Sequence, residues 1–265
     1  MNVNLRGGTA LIKGSLMDFT TSKGFFWTLA FGWMSGPLIY MFVWSVAAGQ
    51  STIGGYGRAD FIFYYLCLIF INQLTYPSAH WSTSESIMNG SMSNTLLRPL
   101  PVFYGAVACD LSVKVVCMPF VAVIVAAIGF IAGLHVSLSL TAVLSSLAAL
   151  MFALVIRFML AYILSLLAFW TQNTASLLSV NDTFIFLLAG QVAPVSLFPG
   201  FLKTIAFALP YRYMLSFPVE VLMGKVSGKD LLYGFLLQIF WVAALFVIHH
   251  FVYKFGVKRY TATGG

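Results

Sequence analysis

The sequence predicts an all-α, polytopic membrane protein with six transmembrane helices, and three observations carry that prediction. Of its 265 residues, 60% are hydrophobic and 8% are charged, whereas soluble domains carry roughly 25% charged residues. Mean hydropathy is +0.94. The apolar residues fall in runs long enough to cross a hydrocarbon core of about 30 Å at about 1.5 Å per residue, and the bases collect at the ends of those runs. Barrel strands would alternate over about ten residues at a time, and these runs are longer and unbroken. The whole chain, residues 1–265, reads as a single transmembrane domain.

Residues 1–24 carry Arg6, Lys13 and Lys23 with one acid, Asp18, around LIKGSLMDF. They read as an amphipathic interfacial helix leading into the membrane. The first span covers residues 25–48, where the Gly36-Pro37 pair predicts a kink. A glycine-rich turn at 49–60 precedes the second span, 61–79. The third, 102–133, opens half-polar, with Asp110 and Lys114 four residues apart, so that one helical turn can pair them. The fourth, 138–169, is long for one crossing, which predicts tilt or extension beyond the bilayer. The fifth covers 176–198 and the sixth 231–253, followed by Lys254, Lys258 and Arg259.

Six spans put both termini on one side. That side collects Arg6, Lys13, Lys23, Arg98 and the C-terminal bases; the other collects Arg58, Lys203, Arg212, Lys225 and Lys229. The bias favours cytoplasmic termini, and with them a cytoplasmic loop at 80–101.

That loop is the longest polar interruption in the chain. Ser82 stands three before Glu85, with Ile87 and Met88 following, which reads as a capped, short amphipathic helix. It would lie against the membrane and offer a face to something soluble. Between the last two spans, residues 199–230 are apolar but broken by Pro199, Pro210 and Pro218. Pieces too short to cross read as re-entrant or interfacial helices in the outer leaflet. Arg212 and Glu220 in that segment either pair or, more economically, Arg212 anchors at the headgroups beside Tyr211 and Tyr213.

Several function classes find no support. The net charge of +7 is not gathered into a patch interleaved with aromatics, so it records topology rather than nucleic-acid binding. Gly224-Lys225 and Gly228-Lys229 lack the frame of a phosphate-binding loop. No metalloprotease or hydrolase motif is present, so the chain reads as a non-enzyme without its own ATPase site. Cys67, Cys109 and Cys117 lie in apolar stretches and read as small buried hydrophobes. His249-His250 reads as an interfacial anchor at the end of span six rather than as a metal pair, having no third ligand nearby.

Arg157 is a lone cation deep in a span, costing about 2.5–3.5 kcal/mol to insert, so it must face protein or water. It contacts an anionic group or gates a translocation path, or else it pairs structurally with Asp182 or Asp110. Asp182 and Gln191, in span five, are further candidates to line that path; Gln191 also suits helix packing.

Three places in the chain resemble the permeases of the ABC-2 exporter family. They are Ile87-Met88-Asn89-Gly90 leading to Leu96-Leu97-Arg98-Pro99; Ala168-Phe169-Trp170-Thr171; and Ser196-Leu197-Phe198-Pro199 followed by Leu209-Pro210 and Phe217-Pro218-Val219-Glu220. The resemblance runs over essentially the whole length. It implies six spans, a cytoplasmic coupling helix between spans two and three, and re-entrant helices before span six. It makes Glu85, Ile87, Met88, Asn89, Leu96, Leu97, Arg98 and Pro99 the contacts to the ATPase. It implies two separate P-loop ATPase subunits carrying ATP and Mg, and a second permease, the same chain or a different one. It further implies export across a bacterial cytoplasmic membrane. The competing class is an ion-coupled carrier or channel, which needs coupling carboxylates near the midplane; the spans offer little beyond Asp182.

Overall fold

The computed structural model of the chain describes residue 14 and residues 32–97, 101–134, 136 and 138–260. Among these, regular structure is helical apart from one isolated bridge pair, Ile53 with Tyr56. Four helical stretches are long and apolar enough to cross a membrane: Arg58–Met88, Val102–Ile131, Leu140–Phe169 and Gly228–Arg259.

Helix α1 (Ser35–Ala48) follows a 3-10 turn at Gly32–Met34. Pro37 lies in its first turn, where a missing N–H leaves no helical bond unmade. The Gly36-Pro37 pair therefore stands at a helix start, not at the expected kink. The rest of the expected first span and, but for Gly14, the N-terminal 1–24 helix lie outside the described residues.

Helix α2 (Arg58–Thr75) stops before Pro77, and α3 (Ala79–Met88) and the single turn α4 (Met92–Leu96) follow it. The break falls inside the expected second span, so the polar loop's helix begins directly below it. Ser82 does not cap that helix; its hydroxyl donates to the Ala79 carbonyl at 3.1 Å. Then come α5 (Val102–Ile131) and α6 (Leu140–Leu166), close to the expected third and fourth spans. A 3-10 turn at Leu167–Phe169 carries α6 to its expected end.

Helix α6 is the hub, packing against α2, α3 and a set of later elements: α7 (Thr174–Leu188), α9 (Tyr211–Met214), α10 (Ser216–Leu222) and α11 (Gly228–Arg259). Ala149, Ala153 and Ile156 recur at helical spacing on it and are fully buried. The two alanines let neighbouring backbones approach closely. On α5 and α11, by contrast, Val123, Phe130, Leu236, Phe240 and Phe251 stay exposed, an apolar exterior that suits lipid.

The expected fifth span is cut short. Helix α7 has 15 residues, about 22 Å at 1.5 Å per residue. It ends where Gly190 takes φ 90°, a conformation open to glycine but costly to other residues. The irregular chain beyond is held by side chains rather than by helix. Tyr64 Oη donates to Gly190 O at 2.9 Å, Tyr65 Oη and Trp44 Nε1 both donate to Val192 O at 2.8 and 2.7 Å, and Ser216 N donates to Ala189 O at 3.1 Å. Non-helical backbone away from water persists where protein satisfies it in this way.

The proline-broken segment forms α8 (Gly200–Ala208), α9 and α10. Pro199 and Pro210 are their flanking caps, as expected of chain breakers. Pro218 is not a break: it sits in the first turn of α10, and the interruption falls at Leu215 (φ −132°, ψ −65°). Helix α11 continues ten residues past His249 to Arg259, so the His249-His250 pair lies within a helix and not at its end.

Candidate functional site

The polar loop builds a two-sided helix. On α3, His80, Ser84 and Ile87 face inward and are buried, while Trp81, Glu85 and Met88 form an exposed row. Spacings of three and four residues put each trio on one face. The inner face is fixed at several points. Ser84 and Thr174 hydroxyls meet at 2.6 Å, His80 Nδ1 donates to Pro77 O at 2.6 Å, and Ile87 and Met92 pack with Tyr162, Leu166 and Phe169. Tyr260 Oη donates to Gly90 O at 2.6 Å and accepts from Ser93 N at 3.1 Å, tying the loop to the end of α11. Of the expected partner contacts, Glu85, Met88, Asn89 and Leu97 are exposed, Leu97 at 85%. Leu96 is half-buried and Ile87 is an inward anchor; Arg98 and Pro99 lie outside the described residues.

The break between α2 and α3 is held by charge. Lys114 Nζ donates to Tyr76 O at 3.2 Å and pairs with Asp110 Oδ2. Asp110 Oδ1 accepts from Ser78 N at 2.9 Å and from Ser78 Oγ at 3.2 Å. One turn of α5 thus places a cation at the C-terminal end of α2 and an anion at the N-terminal end of α3, each matching a helix dipole. The carboxylate supplies the cap that Ser82 was expected to provide. The i,i+4 pairing of Asp110 and Lys114 was legible from spacing; their hold on the break was not.

Arg157 supports the same break from α6. Buried to 4%, its Nη1 donates to Asn72 O at 3.1 Å, Asn72 Oδ1 at 2.8 Å and Thr75 Oγ1 at 2.8 Å. Its guanidinium lies 5.6 Å from the centre of the Tyr76 ring. Neither Asp182 nor Asp110 is within ion-pair distance of it; Asp110 is engaged by Lys114. Arg157, Asp182 and Gln191 nevertheless meet, lining one cavity of about 190 Å³ together with Trp33, Asn72 and Tyr76. The Arg157 Nε is buried without an acceptor among the described residues, an unused donor within the wall of the cavity. Asn72, Thr75, Tyr76 and Ser78 were missed in the sequence; the signal for them was Pro77, which marks where a span's carbonyls need other partners.

The Arg212–Glu220 pair closes the other end. Arg212 Nη2 and Glu220 Oε2 are 2.7 Å apart, and Ser216 Oγ donates to Glu220 Oε1 at 2.9 Å. The guanidinium stacks 3.7 Å from the Phe207 ring centre. Arg212, Tyr213 and Glu220 are all buried, and Arg212 pairs with Glu220, the first of the two arrangements expected for them. Among the described residues no group of three or more His, Cys, Asp or Glu could hold a metal ion.

Four long apolar helices packed around a polar loop helix and a charged cavity define a multi-pass helical membrane protein. The chain belongs to the ABC-2 family: the family model described as ABC-2 family transporter protein matches residues 31–264. No curated protein matches the chain. Membership identifies it as a transporter permease, a membrane subunit of a kind that works with ATPase subunits.

Proposed function

We propose that this chain is the membrane subunit of an ATP-driven exporter, driven by two separate P-loop ATPases that carry ATP and Mg. In this reading it crosses a bacterial cytoplasmic membrane six times, with α1 and α7 completing the four long spans and both termini inside. The short helices α8–α10 lie re-entrant on the outer side. A second permease, of the same or a different chain, completes the conduit.

The observation that carries the reading is the mounting of α3. Its exposed row, Trp81, Glu85 and Met88, lies on a helix whose opposite face is bonded to α6, α7 and α11. A push on that row passes through the Pro77 break to Asn72 and Thr75, and so to Arg157 and the cavity it shares with Asp182 and Gln191. Energy enters through contacts of the row that differ between ATPase states, because a ligand shifts an equilibrium only by its differential affinity for the two states. Opening of the break exposes Arg157 to the path, where its free donor meets anionic or polar groups of the cargo.

The test is ATP-dependent transport by the full assembly in inverted vesicles of its host. Glu85→Ala and Arg98→Glu should abolish transport with normal insertion of the chain. Wild-type transport in both variants, at wild-type abundance, would remove the lever role.

A further inference from the structure

We propose that the polar cavity between the short helices and α11 binds the anionic headgroup of a membrane amphiphile. The cavity measures about 460 Å³ and is lined by Lys203, Phe207, Arg212, Lys225, Tyr233 and Leu237, with Glu220 and Asp230 in the same wall. Arg212 pairs with Glu220 and Lys225 with Asp60 Oδ2 at 3.5 Å, which leaves Lys203 as the base of the cavity without a carboxylate partner among the described residues.

The donors outnumber their partners. Glu220 is occupied, holding Arg212, Ser216 Oγ and, at 3.4 Å, Ser196 N. Arg212 gives it one nitrogen, while its Nε is buried with no acceptor among the described residues. Stacking on Phe207 and the bond to Glu220 fix the guanidinium plane in the cavity wall, which holds the cation in place for a phosphate or carboxylate. Lys203 Nζ reaches only Ser196 O at 3.4 Å and the Phe207 ring at 5.8 Å, poor satisfaction for a three-donor ammonium. Lys225 is exposed at the rim, donating to Gly55 O at 2.8 Å and pairing with Asp60 Oδ2 at 3.5 Å.

The shape selects an amphiphile over a free anion. Along α11 the wall runs from Asp230 to Leu237, about 10 Å at 1.5 Å per residue. It passes from charged to apolar side chains over that length. Leu232, Leu236 and Ile239 beside it are exposed, leaving an apolar track for a tail whose headgroup sits among Lys203, Arg212 and Lys225. This site goes beyond the transport reading and needs no ATPase.

The experiment is native mass spectrometry of the purified full-length chain titrated with didecanoyl phosphatidylglycerol or didecanoyl phosphatidylcholine. The expected result is preferential retention of phosphatidylglycerol, weakened about fivefold by Lys203→Ala, the worth of one base against an anionic lipid, and unchanged by Lys229→Ala outside the cavity. Inorganic phosphate at millimolar concentration should not displace the lipid. Equal retention of the two lipids, or a Lys203→Ala variant that binds as the wild type does, would overturn the proposal. Displacement by phosphate would reassign the cavity to a free anion and overturn its amphiphile part. Since binding is read without transport or ATP, its failure leaves the exporter reading standing, and the reverse also holds.

Discussion

Arg157 Nη1 donates both to the backbone carbonyl of Asn72 and to its side-chain oxygen, at 3.1 and 2.8 Å. An arginine in the middle of a span is thereby engaged as a clamp on the last turn of α2, one turn above the helix break. The carbonyl already accepts the last helical bond of α2, from Tyr76 N at 2.9 Å, so Arg157 adds a second donor at the turn after which the helical ladder runs out.

Replacing Arg157 by Met should therefore loosen the break rather than simply remove a charge. Hydrogen bonds between membrane helices average about 0.6 kcal/mol each, so losing three costs about 2 kcal/mol. Thr75→Val, removing one, should cost about a third of that. Thermal unfolding in detergent ranks the two variants; equal stability of Arg157→Met and wild type contradicts the clamp.

Asp110 and Lys114 should behave as a unit. Asp110→Ala strands a buried ammonium and leaves Ser78 N without its acceptor, costing about 3 kcal/mol. Asp110→Asn with Lys114→Met removes both charges and should recover most of the loss. A double mutant cycle that proves additive would show that the two residues act independently.

Gly190 tests the irregular end of α7. At φ 90° an alanine is strained, and its Cβ would stand 2.8 Å from Ser216 Cβ. Gly190→Ala should cost more than about 1 kcal/mol and lower the yield of folded protein. Gly105→Ala, inside α5 with nothing within 4 Å of the added Cβ, is the contrasting control and should leave stability unchanged or raise it by up to about 1 kcal/mol.

The exposed row of α3 predicts the opposite pattern, loss of function without loss of stability. Glu85→Ala removes a solvated side chain and should shift stability by no more than about 0.5 kcal/mol. Transport should nonetheless fail, and comparison of melting temperature with vesicle transport separates the two effects.

The long apolar runs made the spans around Asp110, Arg157 and His249 legible, because lipid contact demands uninterrupted hydrophobicity whatever the tertiary contacts. Legible too was the coincidence of polar residues, helix formers and Glu85 that makes α3. What stayed hidden depends on contacts between distant parts of the chain. Tyr64, Tyr65 and Trp44 read as ordinary apolar-run aromatics, yet their polar tips end α7 early by satisfying Gly190 and Val192. Pro218 reads as a breaker but fits a first helical turn, where proline is tolerated. Ile87 belongs to a loop motif and still points inward, since periodicity identifies two faces of a short helix without saying which one has a partner.

The proposed exporter requires a soluble ATPase to engage the chain at the Trp81–Glu85–Met88 face. The most direct measurement is mild-detergent purification of the tagged full-length protein from its host, with mass spectrometry of what accompanies it. The comparison is with a Trp81→Ala, Glu85→Ala, Met88→Ala variant of equal abundance and melting temperature. Recovery of a P-loop ATPase with the wild type and its loss from the variant is the predicted result. An intact chain that purifies without any ATPase and moves its cargo under an ion gradient would instead be a carrier, with no ATPase docked on α3.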